Sequence, residues 1–135
     1  MNIQLKKGRR YECSIVYQIA WCTRERQPIF RDPARIMQMI NLLNEKMEEK
    51  DIEMLRVSVG EDYVYVMIET DPQTAPIDLI KMLKGGSAKR LQIQYPEICR
   101  DLKDNHVWDD KYLIVAGAQD ITETVFDYVQ RQKKR

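Results

Sequence analysis

The sequence predicts an α+β fold: a four-stranded antiparallel sheet of split β-α-β type, helices on one face, and an additional C-terminal helix. Two observations carry this. Four stretches alternate apolar and polar residues with the period of two that a half-buried strand requires, at 13–22, 52–59, 63–69 and 112–116. Between and after them lie stretches with helical spacing, opened by Asp or Pro where helices start.

The elements follow in order. Cys13, Ile15, Tyr17, Ile19 and Trp21 share one face of the first strand. Asp32-Pro33 then starts a helix, Asp as N-cap and Pro at the first helical position. Ile36, Met39, Ile40, Leu43 and Met47 carry it to about residue 50; its methionines belong to the core. The second and third strands are joined by the turn Gly60-Glu61-Asp62, and Asp71-Pro72 ends the third. Pro76 opens a second helix through Ile77, Ile80 and Leu83, with Gly85-Gly86 expected to interrupt it before residues 87–94 resume. Residues 95–110 read as a loop, closed by Val107-Trp108, before the short fourth strand. Asp120-Ile121-Thr122-Glu123 has the form of a capping box and begins the last helix, bearing Val125, Tyr128, Val129 and Gln132. The order β-α-β-β-α-β-α, through its first six elements, is that of a ferredoxin-like sheet. The face opposite the first two helices stays open to the last helix, a ligand or a partner.

Length and composition set bounds. A chain of 135 residues, 44% apolar, fits one domain with a true core: a basic arm 1–10, a core 11–132 and a basic tail 133–135. The net charge of +1 names no partner, but its distribution is uneven. Residues 1–31 hold seven Lys and Arg against two acids; residues 32–72 hold four against ten. A local phosphate-binding surface is therefore possible. Three cysteines without a C-x-x-C pair argue against a disulfide framework or a structural zinc site. No apolar run has membrane-spanning length, and residues 1–10 contain no apolar signal segment. The expected location is the cytoplasm, with no membrane partner.

Several motifs, in order and spacing, carry a resemblance. Ile19-Ala20-Trp21-Cys22-Thr23-Arg24-Glu25-Arg26-Gln27-Pro28-Ile29-Phe30 is similar to the first strand and turn of the insertion sequence 200-like single-tyrosine transposases, which include the REP-associated tyrosine transposases. Leu83-Lys84-Gly85-Gly86-Ser87-Ala88-Lys89-Arg90-Leu91 resembles their second helix with its glycines. His106-Val107-Trp108, with Tyr112-Leu113-Ile114-Val115-Ala116-Gly117, resembles their Trp-bearing loop and last strand. Tyr128-Val129-Gln130-Arg131-Gln132 resembles their terminal Tyr-x-x-x-Gln helix. Together these motifs cover residues 11–132.

The resemblance implies a chemistry. In such proteins a His-hydrophobic-His motif on the third strand and a Gln on the last helix bind Mg2+ or Mn2+, the metal polarises a phosphate of single-stranded DNA, and a Tyr attacks it. They work as dimers in which the tyrosine helix of one subunit serves the other's metal site. Positions i and i+2 of a strand point the same way, and Tyr and Gln four apart share a helix face. Here Tyr63 and Tyr65 stand at both histidine positions, and the single histidine, His106, lies in another segment. Tyr128 occupies the nucleophile position and Gln132 the third ligand position. A neutral phenol with a pKa of about 10 is a poor ligand for a hard cation. The expectation is a degenerate member of this HUH family with no metal and an idle Tyr128. It binds hairpin or single-stranded DNA and dimerises through its sheet edges.

Candidate DNA contacts are Arg9, Arg10, Arg24, Arg26, Lys81, Lys84, Lys89 and Arg90 for phosphates, and Tyr63 and Tyr65 for bases. Each has a structural alternative: the cations as a solvated face, the tyrosines as packing beneath the last helix. Two other functions stay open. An active nuclease would need Glu61, Asp62, Glu69 or Gln132 as substitute metal ligands. A domesticated dimeric scaffold would bind no DNA, and the weak net charge suits it.

Overall fold

The computed structural model describes residues 4–100, 102 and 106–133. Its strands are β1 (Lys6–Lys7), β2 (Glu12–Cys13), β3 (Ile15–Cys22), β4 (Glu53–Val59), β5 (Tyr63–Thr70) and β6 (Leu113–Ala116). Its helices are α1 (Pro33–Glu49), α2 (Pro76–Ile80), α3 (Gly86–Gln94), α4 (Pro96–Cys99) and α5 (Thr122–Arg131). The main sheet runs β4-β5-β3-β6 with every neighbouring pair antiparallel. The first and third of its strands are therefore central, as a split β-α-β sheet demands.

Strand alternation divides the molecule into two cores. Ile19, Trp21, Val64, Val66 and Ile68 point to the face covered by α1 and α3, where they meet Met39, Leu43, Leu83 and Leu91. Burial of each large apolar side chain there contributes roughly 1.5–3 kcal/mol. Trp108 joins this core, stacked on Phe30 at 6.0 Å and edge-on to Trp21 at 5.8 Å. Ala20 and Cys22 point the other way, and there Ile121, Val125, Tyr128 and Val129 of the α5 region cover them. The last helix thus takes part of the face that the sequence leaves open.

Start signals act as expected at α1: Asp32 accepts a hydrogen bond from the Ala34 amide at 2.9 Å, with Pro33 in the first position. Before α5, Asp120 accepts from the Thr122 amide and from the Thr122 hydroxyl. Four details differ from the sequence reading. The capping box does not form: Ile121 is the N-cap of α5, and Asp120 sits one residue before it, bonded to Thr122 rather than to the Glu123 amide. Gly85-Gly86 does not interrupt the second helix: α2 passes into α3 through a π-helical turn, Lys81–Gly85, with helical backbone angles at both glycines. At Gly86 the helix passes close to α1, where a Cβ would lie 2.7 Å from Cε of Lys46, the movable end of a flexible side chain. The loop after α3 contains the short α4, with Pro96 in its first turn. The basic arm folds back on the residues after it as a small antiparallel ribbon, β1 with β2, so that Cys13 pairs with Lys6 instead of opening the first long strand; the ribbon turns where the Gly8 amide donates to the Tyr11 carbonyl at 2.8 Å. Lys134 and Arg135 of the tail lie outside the described residues. Among the described residues no helix is long and apolar enough to cross a membrane.

Candidate nucleic-acid interface

The site begins with the period of β5. Tyr63 and Tyr65, two residues apart, project to the α5 side of the sheet and pack at the margin of the cluster that α5 covers. Beside them the buried Gln18 of β3 is the polar residue in a row that continues as Ala20 and Cys22. The Tyr65 hydroxyl donates to Oε1 of Gln18 at 2.5 Å. Nε2 of Gln18 donates to the carbonyls of Gly117 and Gln119, at 2.9 and 2.8 Å. One amide therefore ties β5, β3 and the turn into α5 together. Burial pushes the Tyr65 phenol above its ordinary pKa, Arg56 opposes this, and Asp120 adds to it. The ring of Tyr63 lies against Gly60, where an added Cβ would fall 2.1 Å from Cε1.

Helix α5 covers the β3 and β6 half of this face and leaves the β4 and β5 half open. Between helix and sheet lies a cavity of about 550 Å³. Arg56, Ser58, Tyr63 and Tyr65 line its sheet side, Val125 and Phe126 its helix side, and Arg26 and Asp62 also border it.

Tyr128 and Gln132 do not border this cavity. Tyr128 is 8% exposed, and its hydroxyl has no hydrogen-bond partner among the described residues. Burial pushes its phenol up to about 12, helped by the nearby Cys22 and Asp109. Nε2 of Gln132 turns back onto the Tyr128 carbonyl at 2.9 Å. The substitute ligands do not converge either. Asp62 is tied to Arg26, Glu61 pairs with Arg31 at 3.5 Å, and Glu69 lies at the far end of β5 opposite Val16. Among the described residues no three His, Cys, Asp or Glu groups are placed to hold a metal ion. Two neutral phenols, one already hydrogen-bonded, and an amide folded onto its own helix do not fit a hard divalent cation.

The candidate cations separate into two groups. Some are engaged within the fold. Nε of Arg26 binds Oδ2 of Asp62 at 3.1 Å, both side chains about nine-tenths buried. Arg24 is half-buried, and its backbone amide, not its guanidinium, donates to the Val107 carbonyl. Nζ of Lys84 donates to the carbonyls of Asp109 and Lys111, at 2.6 and 3.2 Å. Burial lowers the Lys84 pKa, against Asp109 and Asp110. Arg90 bridges α3 to α1 through Glu49 and Glu45. Arg9, Arg10, Lys81 and Lys89 are exposed, and none forms an ion pair among the described residues. Sequence reasoning missed Gln18, Arg56 and Phe126. Gln18 did leave a signal, as an amide on an otherwise apolar strand face.

Residues 11–132 match the family model described as Transposase IS200 like. The chain belongs to the IS200-like transposase family. This family member is 27% identical over 133 residues to the ISDra2 transposase TnpA of Deinococcus radiodurans, covering 98% of this chain and 94% of the relative. A crystal structure described as a transposase from Deinococcus radiodurans R1 superposes with a TM-score of 0.87 at 24% identity, over 96% of this chain and 99% of that one. The structure of a REP-associated tyrosine transposase bound to a REP hairpin gives a TM-score of 0.56 at 9% identity, over 93% and 67%. The two superpositions establish the shared α+β fold.

Proposed function

We propose that this IS200-like family member binds hairpin or single-stranded DNA as a homodimer in the cytoplasm and does not cleave it. The observation that carries this is the pair Tyr63 and Tyr65 at the matching ligand positions, with the Tyr128 hydroxyl buried away from the cleft they line. Cleavage by the family chemistry needs a metal-polarised phosphate and a nucleophile in line with it. The cleft offers aromatic faces instead, on which unpaired bases stack. The hairpin-bound relative supports DNA as the partner, because that protein shares the fold. The outer strands β4 and β6 each have one unpaired edge among the described residues, which suits association of two copies.

The test is a gel shift with short hairpin, linear single-stranded and duplex DNA, with and without magnesium. Expected is metal-independent binding that prefers hairpin and single strands, weakens with salt, and leaves the DNA intact. Replacing Tyr63 and Tyr65 together with Ala should weaken single-strand binding more than duplex binding. No shift with any oligonucleotide at low salt would favour a dimeric scaffold without DNA binding.

A further inference from the structure

The cleft beside α5 contains more than the two tyrosines. At its border the backbone of Glu25 and Arg26 takes positive φ angles of 53° and 54°, consecutively and without glycine. L side chains rarely adopt that conformation, and such backbone persists where surrounding structure enforces it. The Asp62 carboxylate holds the Arg26 guanidinium at this border. Nε is bound to Oδ2 of Asp62, and the two Nη groups and Oδ1 of Asp62 stand outside that bond. With side chains 10% and 8% exposed, this pair presents donors beside an acceptor in a fixed order. Asp62 also offsets the charge of Arg26, so the pair suits a neutral polar edge better than a phosphate.

The other walls suit a flat apolar body. The Tyr63 ring is backed by Gly60, and on the helix side Phe126, 62% exposed, joins Val125 and Val129. A cavity of about 550 Å³ has the size of a small-ligand site. A nucleobase has these properties: two apolar faces, and a Watson–Crick edge where an acceptor sits beside a donor. We infer that the cleft seats one unpaired nucleobase, with the Gly60-backed ring of Tyr63 as its stacking surface and the Arg26–Asp62 pair as the reader of its edge. This deepens the DNA-binding reading and rests on it for the strand that supplies the base; a free nucleotide presents the same chemistry.

Two experiments on the full chain test it and separate the two sources. In the first, a hairpin with an unpaired loop is titrated by fluorescence anisotropy, each loop position in turn made abasic. One position should matter, its abasic form binding on the order of tenfold more weakly. Gly60→Ala, which keeps every polar group but displaces the ring, and Tyr63→Leu should each erase that difference. A flat abasic scan, or a penalty unchanged in both variants, overturns the inference and leaves the DNA-binding reading standing. Should one variant fail to fold by circular dichroism, the other gives the answer. In the second, dAMP, dCMP, dGMP and TMP are added while the Tyr63 ring and Arg26 Nε–H resonances are followed by NMR. If no oligonucleotide binds, the DNA-binding reading fails and this titration decides alone. A saturable shift that Gly60→Ala removes keeps the nucleobase seat, with a free nucleotide as its occupant; no shift with any of the four overturns it.

Discussion

The two faces of the sheet are built by different rules. The face under α1 and α3 is a close-packed apolar core in which Trp21, Phe30, Met39, Leu43 and Ile68 are almost wholly buried. The face under α5 has a smaller apolar cluster, a hydrogen-bonded amide, an unpartnered phenol and an open cleft. The first face buries most of the large apolar side chains and holds the fold together. The second is less fully packed and lines its cleft with polar side chains and an aromatic wall, the usual character of a binding surface. The main core and the cleft thus lie on opposite sides of the same strands, divided residue by residue by the strand alternation.

Substitutions can break that division or sharpen it. Trp21→Ala strikes the packed face and should cost about 3–5 kcal/mol, read by urea denaturation. A loss below 1 kcal/mol would mean that this face is not the main core. Gln18→Leu strikes the tie between β5, β3 and the turn into α5. It strands the Tyr65 hydroxyl and two carbonyls, and a loss of roughly 1–3 kcal/mol is expected. Amide exchange in α5 should then quicken more than in α1; equal acceleration would show no special link to α5.

Tyr128→Phe should be smaller and opposite in sign, raising stability by at most about 1 kcal/mol, because it removes a buried hydroxyl without a partner. Folding raises the Tyr128 pKa from 10 to about 12, so its contribution is complete below pH 10 and is lost as pH rises towards 12. Cys22, held at about 12 by burial and Asp62, acts in the same direction from pH 9. The variant should therefore show a shallower loss of stability between pH 10 and 12; an unchanged slope would mean that Tyr128 is not desolvated. Replacing Lys81 and Lys89 with Ala should move stability by less than about 0.5 kcal/mol. The same variant should flatten the salt dependence of DNA binding by roughly 0.7 log units per lost contact. An unchanged slope would place the phosphates elsewhere.

Much of this was legible in the sequence, and the failures have physical causes. The strands were legible because Ile19 and Trp21, or Val64 and Val66, cannot occupy one face without the period of two. The α1 start was legible because Asp32-Pro33 satisfies the first helical amides locally. The continuous α2–α3 rod was not, since glycine's cost of about 1 kcal/mol in a helix is outweighed by the burial of Leu83 and Leu91 on either side, which no local signal at the glycines reveals. Tyr63 and Tyr65 were legible as a pair, but the ring's bed on Gly60 and the Arg26–Asp62 pair arise from contacts across the fold. So does the state of the cations: Lys84 and Arg90 look like Lys89 in the sequence, yet carbonyls and carboxylates hold them.

The central claim is that the α5 face binds DNA but carries no cleavage chemistry. It is tested most directly by incubating the chain with a 5′-labelled hairpin and manganese and separating the products on a denaturing gel, beside Tyr128→Phe. The expected result is full-length DNA in both lanes, with a native gel of the same samples showing a retained complex. A shortened product, or a covalent protein–DNA adduct that Tyr128→Phe abolishes, would contradict the account.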